Sequence, residues 1–442
     1  MVNILILGGL GGDGPRQLLP YLFSSKCPEK AKPSFVRVVD KFLAIPQADA
    51  FTFFADPRCK ETFKKGMEDG SVEYIQGNLL TEATRTNVFS LPEAQGGPEK
   101  SFDFVFDFTG ESDFRAPDLV HVERTLRLAL LLGEAAVKAK VGAYIRTLPT
   151  FSKLKSDSEI KKGLKVGSEG AGDAEPWGTL SKWHHEAARG LAKLEGLNLV
   201  FLRPAVFYGD FTVTGFTPRA LIGSVYKFQG ETMDFLWSDS LACNTVHIDD
   251  FSSALVSAAI WATSIGSRSS ILSAYSVNLP PAIDSNKPLE PLTSGPSPVK
   301  PAKKEEKDIR AALFNVEDGG DTRQKAMAKL IEEVVGVKTG WHGIVISTFA
   351  KLNLDVVHED ANEKHLEGWS ALMQASNINT TVPISPQVPV DLLSPNPISF
   401  DSSALKRLTG WAPTHKLDAV TVRATIEGFR KEGFWPNAPP QK

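Results

Sequence analysis

Residues 8–14 read Gly-Gly-Leu-Gly-Gly-Asp-Gly and stand directly behind the apolar run Val2 to Leu7. No other stretch restricts the fold so tightly. A short β-branched run stopped by glycine reads as a fully buried parallel strand. Pro15 follows Gly14 and suits the first turn of a helix. Gly8, Gly11 and Gly14 keep a G-x-x-G-x-x-G spacing, with Gly12 beside them. In a strand–turn–helix context such glycines serve a tight turn, a close backbone approach to pyrophosphate, and helix–strand packing. The helix N-terminus then offers unpaired N–H groups and positive dipole to the phosphates.

The rest of the N-terminal half repeats the pattern. Ser34 to Val39, Val72 to Gln76, Phe102 to Phe108, Gly142 to Arg146 and Asn198 to Leu202 read as strands. Helical stretches at His121 to Ala139 and Leu180 to Glu195 alternate with them. That alternation implies α/β architecture, a doubly wound parallel sheet with right-handed crossovers. Asp40 closes the second strand, 26 residues past Gly14, the surplus fitting an insertion around Lys26 to Pro33. A carboxylate there accepts hydrogen bonds from ribose hydroxyls and repels a 2′-phosphate, which favours NAD. Neighbouring Lys41 keeps NADP open, and a plain strand-end cap is the competing role for Asp40.

Composition removes several classes. Among 442 residues the net charge is −3, with no concentrated basic stretch, so no nucleic-acid partner is expected. Cys27, Cys59 and Cys243 are scattered and form no metal-ligand spacing, so no metal is expected. The N-terminus lacks a signal-peptide pattern, and Phe251 to Ser267 reads as a buried helix rather than a span. The expectation is a cytoplasmic chain with no membrane contact. Pro280 to Lys307 is proline-rich and reads as a flexible loop. Ala312 to Val316 reads as a strand and Thr322 to Val335 as a helix. A polar connection covers 377–397, and an amphipathic helix closes the chain near 418–432.

Taken in order, further segments resemble one family, the extended short-chain dehydrogenase/reductases (the NAD-dependent epimerases and dehydratases). Leu7 to Gly14 resembles its T-G-x-x-G-x-x-G; Gly77-Asn78-Leu79 its G-D-L element; Phe106-Asp107-Phe108-Thr109-Gly110 its H-x-A-A segment. Arg203-Pro204-Ala205-Val206-Phe207-Tyr208-Gly209 is similar to R-P-x-x-V-Y-G with one extra residue. Val246 to Asp250 is similar to V-H-[VI]-D-D, Phe314-Asn315-Val316 to Y-N-[IV], and Leu408 to Pro413 to L-G-W-x-P. The resemblance implies a Rossmann-like domain over 1–210, with 246–275 and part of 312–400 returning to it. A smaller, discontinuous substrate lobe would use 211–245 and 312–434. It also implies a small-molecule substrate, such as a nucleotide sugar, and a homodimer through a bundle of the helices at 121–139 and 180–195. The cofactor residues implied are Gly8, Gly11, Gly12, Gly14, Asp40, Asn78, Leu79, Thr109, Lys182 and Pro204.

The family's chemistry rests on Tyr-x-x-x-Lys, and here the pattern breaks. Ser181-Lys182-Trp183-His184-His185-Glu186 supplies Lys182 as the family lysine, but four residues earlier stands Gly178, with Trp177 before it. Indole donates only and shuttles no proton. Thr147 or Thr150 replaces the family serine, and His121 takes the place of its asparagine. His184 and His185 are further candidates, because histidine titrates near neutral pH. Three readings stay open: an enzyme of non-standard redox or isomerase chemistry, a catalytically inactive dinucleotide-binding or redox-sensing protein, and a structural or interaction protein docking through the 280–307 loop, against which the glycine turn argues.

Overall fold

The computed structural model describes residues 1–43, 55–283 and 308–440. The chain divides into two compact units. Unit 1 comprises Met1–Pro204, Phe251–Val316 and Phe400–Ala412; unit 2 comprises Ala205–Asp250, Glu317–Ser399 and Pro413–Lys442.

Unit 1 is built on β1 (Val2–Leu7), β2 (Pro33–Asp40), β3 (Val72–Gln76), β4 (Phe104–Asp107) and β5 (Ala143–Thr147). Its eight-stranded sheet runs Val277–Asn278, Arg310–Val316, Leu199–Pro204, β5, β4, β1, β2, β3. All neighbours pair in parallel except the short Val277–Asn278 edge. The order reverses between β1 and β4, and open α/β sheets bind ligands at such a switch point. Ile4, Leu5, Ile6 and Leu7 are fully buried, as a central strand covered on both faces requires. The doubly wound sheet expected from the sequence is present.

Two details of unit 1 differ from the sequence reading. The stretch expected as one helix from His121 opens as Asp118–His121, widens into a π-helical turn over Val122–Arg127 and resumes as Leu128–Lys138. An added residue in a helix shifts its faces without disturbing composition, so periodicity could not reveal it. The later helix, Thr179–Leu191, has eleven of its thirteen residues buried. It packs against Leu128–Lys138 where glycine permits: a Cβ on Gly133 would meet Leu191, and one on Gly190 would meet Leu130. The proline-rich loop expected at 280–307 lies, from 284 onward, outside the described residues.

Unit 2 holds the helices Phe216–Gln229, Gln324–Val335, Leu354–Ala375 and Ala419–Lys431. Two small parallel ribbons accompany them, Met233–Phe235 with Thr339–Trp341 and Val206–Tyr208 with Thr245–His247. Val225, Phe228 and Leu372 form a buried cluster in this unit. The helices at Ile344–Leu352 and Leu354–Ala375 had no counterpart in the sequence reading.

Candidate functional site

β1 ends in the glycine turn, and helix α1 (Asp13–Phe23) begins at its far side. The N–H groups of Gly8 and Gly9 both donate to the Val39 carbonyl, at 3.0 and 2.9 Å, which ties the turn to the end of β2. Gly8 has φ +102° and Gly9 φ +69°, a region costly for side chains. A Cβ on Gly8 would lie 2.9 Å from the Phe108 carbonyl carbon. One on Gly14 would lie 3.0 Å from the Phe108 ring and 3.4 Å from that of Phe251. Around Gly11, by contrast, a Cβ would meet nothing within 4 Å. The turn is therefore crowded on its protein side and open at Gly11, the arrangement a pyrophosphate needs. Gly12 is the N-cap of α1 with ordinary extended dihedrals.

Asp13 opens the first turn of α1 and pairs with Arg16, both buried. Arg16 also donates to the Gly11 carbonyl at 2.9 Å. This carboxylate stands where phosphate charge would gather, and the guanidinium beside it offsets the repulsion. Asp40 leans over Gly9, and its carboxyl is held above the usual range, chiefly by burial, against a backbone N–H from Phe42. Such a carboxylate gains from added donors, which ribose hydroxyls supply. These residues fit a dinucleotide.

The other expected contacts are more varied. Asn78 folds back as an Asx turn, its Oδ1 accepting from the Leu80 N–H at 3.0 Å, while Leu79 is buried. Thr109 donates its hydroxyl to Asp107 Oδ1 at 2.7 Å, and its carbonyl accepts from Arg146 at 2.9 Å. Its side chain is thus committed to the strand ends. Pro204 is buried at the end of its strand, beside Val316. Lys182 is the exposed residue in the first turn of Thr179–Leu191.

A network that the sequence reading missed lies on β4 and β5. Asp107 and Arg146 are register partners, both fully buried and ion-paired. The Tyr144 phenol donates to Asp107 Oδ2 at 2.6 Å, and burial pushes that phenol well above its ordinary range. The signal was available: Asp107 and Arg146 each interrupt an apolar strand at the same depth.

The candidate catalytic groups stand nearby in different states. Thr147 Oγ1, Ser181 Oγ and both ring nitrogens of His121 are buried without a hydrogen-bond partner. Thr150 lies half-buried in the turn after β5, its carbonyl bonded to the Ser152 N–H. His184 packs on Gly110, where a Cβ would come within 2.4 Å of its ring, and its Nε2 reaches the Glu111 carbonyl at 3.4 Å. Burial first, and then the Arg146 charge, push its pKa down to about 3. His185 is pushed down to about 3 as well, mainly by burial, and Nε2 donates to the Pro280 carbonyl at 2.7 Å. Both rings are neutral at physiological pH, and His185 serves as a tether.

Gly178 stands in a conformation that side chains avoid. It is the N-cap of Thr179–Leu191 at φ 75°, ψ 154°, a combination essentially confined to glycine. Trp177 therefore precedes the helix and fills an aromatic cluster, 5.6 Å from Phe151, which in turn lies 5.7 Å from Phe114. Tyr208 is buried within unit 2 against His247, ring centroids 5.2 Å apart.

His247, Asp249 and His415 of unit 2 bring possible metal-ligand atoms within 4.8 Å of one another. The two imidazoles, however, stack at 3.8 Å and 14°. Lone pairs lie in the ring planes, so near-parallel rings cannot both point at one ion. Asp250 organises the group instead, accepting from the Thr414 and His415 N–H groups at 3.0 and 2.9 Å.

No family model matches the chain. No curated protein matches it either. Solved structures do. UDP-glucose 4-epimerase from Thermotoga maritima is 15% identical, with TM-score 0.54, covering 97% of this chain and 99% of that one. UDP-glucuronic acid 4-epimerase from Bacillus cereus, in complex with UDP-glucuronic acid and NAD, is 13% identical, with TM-score 0.54 and coverage of 97% and 99%. The dTDP-glucose 4,6-dehydratase DesIV from Streptomyces venezuelae, with NAD bound, is 14% identical, with TM-score 0.53 and coverage of 98% on both sides. The chain has the Rossmann-like fold that these epimerases and dehydratases of the extended short-chain dehydrogenase/reductase type share.

Proposed function

We propose that the protein binds NAD(H) on the Gly8–Gly14 turn and takes a small hydroxyl- or carbonyl-bearing metabolite of the nucleotide-sugar kind. The observation that carries this reading is the turn: crowded at Gly8 and Gly14, open at Gly11, with Asp40 over Gly9. Gly11, Gly12 and the first turn of α1 would receive the pyrophosphate. Asp40 would accept from the adenosine ribose, Asn78 and Leu79 would flank the adenine, and Thr109, Lys182 and Pro204 would border the remainder. NAD, when bound, supplies hydride acceptance and return. The NAD-bound epimerase and dehydratase of the same fold support the choice of cofactor.

Proton handling in this reading falls to Thr147, Thr150, His121 or Lys182, since Gly178 offers no phenol. The chemistry is accordingly non-standard for the fold. Titration of the protein with NADH, followed by cofactor fluorescence, tests the binding half. Saturation in the wild type and its loss in Gly11→Val support the assignment; no saturable change in the wild type removes it. UDP-glucose, UDP-glucuronic acid and dTDP-glucose, each added with NAD, are the first metabolites to assay.

A second reading is favoured by one observation, the glycine-only backbone at 178. Here the protein binds NAD(H) without turnover and reports nicotinamide redox state. Unequal affinities for NAD+ and NADH, with no conversion of any of the three sugars, distinguish it from the first. A homodimer belongs to either reading, and light scattering tests it.

A further inference from the structure

Arg16 is fully buried one turn into α1, directly behind the glycine turn. A buried guanidinium is costly unless its donors are spent on good acceptors. Two of its acceptors belong to the turn itself. One is the Gly11 carbonyl, at 2.9 Å, and the other is the carboxylate of Asp13, which is buried as well. Both oxygens are therefore held on the protein side of the turn.

The same bond fixes what the other side presents. The peptides of the described residues are all trans, and in a trans peptide C=O and N–H point in opposite directions. A Gly11 carbonyl directed inward at Arg16 thus aims the Gly12 N–H outward. Outward is open: Gly12 is exposed, and a Cβ on Gly11 would meet nothing within 4 Å. Gly12 is also the N-cap of α1, and no side chain caps it. The first N–H groups of a helix have no partner within the helix and are left to other acceptors.

Arg16 pulls against a fixed support. The next residue, Gln17, is buried and accepts from Arg58 Nη2 at 2.8 Å. Arg58 is in turn paired with Asp56, the buried N-cap of the Pro57–Asp69 helix. The first turn of α1 is braced from behind by a second helix, so the guanidinium draws the glycine turn inward.

We propose that Arg16 is the positioning residue of the cofactor turn. It holds the Gly11 carbonyl and the Asp13 carboxylate inward, and so presents the Gly12 N–H and the start of α1 to the pyrophosphate of NAD(H). The inference rests on the NAD(H) reading above, and within it Arg16 acts without touching the cofactor. A ligand bearing pyrophosphate depends on this residue, whereas a bare nucleoside does not.

Calorimetric titration of the full chain with ADP-ribose and with adenosine tests the split. Arg16→Met should weaken ADP-ribose binding by about tenfold or more and adenosine binding by less than about twofold. Arg16→Lys keeps the charge but not the planar fork, and should weaken ADP-ribose by about threefold with adenosine again unmoved. Circular dichroism verifies the fold, and the lysine variant carries the same comparison if the methionine variant does not fold. Unchanged ADP-ribose affinity in Arg16→Lys overturns the proposal, since charge alone would then be acting. Equal losses for ADP-ribose and adenosine overturn it too, leaving Arg16 a general support of the fold. A wild-type chain that takes neither NADH nor ADP-ribose removes the NAD(H) reading itself, and this inference with it.

Discussion

The Asp40 carboxylate stands so close over Gly9 that a Cβ at position 9 would fall 1.8 Å from Asp40 Oδ2. The strand end and the turn are thus built for each other, because only a bare α-carbon lets the carboxylate reach over the turn. Gly9→Ala meets both this overlap and a φ of +69°. Its expected effect is a loss of about 1–3 kcal/mol in stability and weaker NADH binding, read by urea denaturation and fluorescence titration.

Asp40 also governs which dinucleotide fits. Removing its charge in Asp40→Ala takes away the ribose acceptor and the repulsion of a 2′-phosphate. NADH affinity should fall about tenfold, roughly 1.4 kcal/mol, while NADPH affinity rises. Parallel titrations with the two cofactors check the expectation, and equal losses for both would show that Asp40 is only a strand-end cap.

The buried pair of Asp107 and Arg146 behaves as a unit. Asp107→Ala strands the Arg146 charge and takes the acceptor from Tyr144, so a cost of about 3–5 kcal/mol is expected. The double replacement Asp107→Leu, Arg146→Met removes both charges together and should be considerably milder. Chemical denaturation of the singles and the double measures the difference.

Acid sensitivity follows from His184 and His185, both pushed down to about 3 in the folded chain. An unfolded histidine takes up its proton near pH 6.5. Above that value neither state is protonated and the stability is fully present. As pH falls from about 6.5 toward 3 only the unfolded chain gains protons, so stability is lost over that window. The loss is on the order of 1 kcal/mol per pH unit for each group. Urea midpoints at pH 7 and pH 5 should diverge for the wild type. They should diverge less in His185→Gln, which can still donate to the Pro280 carbonyl.

Placing a tyrosine at position 178 should fail. Gly178→Tyr places a bulky residue at φ 75°, ψ 154°, with a strain of about 1–3 kcal/mol. A lower melting temperature and no gained turnover with NAD and any of the three nucleotide sugars are expected. Appearance of turnover would show that the backbone here adapts.

The sheet and the turn were legible because their signals are local. Val2 to Leu7 announces a buried strand by composition, and the glycines that follow tolerate few other folds. The place of Asp40 at the end of one such strand was legible for the same reason. What escaped was relational. Thr109 was read as a cofactor contact, but no spacing could show that its hydroxyl also donates to Asp107 two residues away, on the carboxylate that pairs with Arg146. Trp177 and Gly178 were read by their side chains alone, whereas the left-handed backbone at Gly178, the N-cap of Thr179–Leu191, decides what can stand there. The Ile344–Leu352 helix went unassigned because its apolar residues answer to no inward face.

The conformation of Gly178 has a consequence for substitution. The main chain there lies in a region that other residues shun, and Trp177 before it is held in an aromatic cluster with Phe151. A side chain cannot enter position 178 by one mutation at no cost, since the loop leading into the helix would have to be rebuilt first. Whatever chemistry the protein performs is left to groups standing elsewhere.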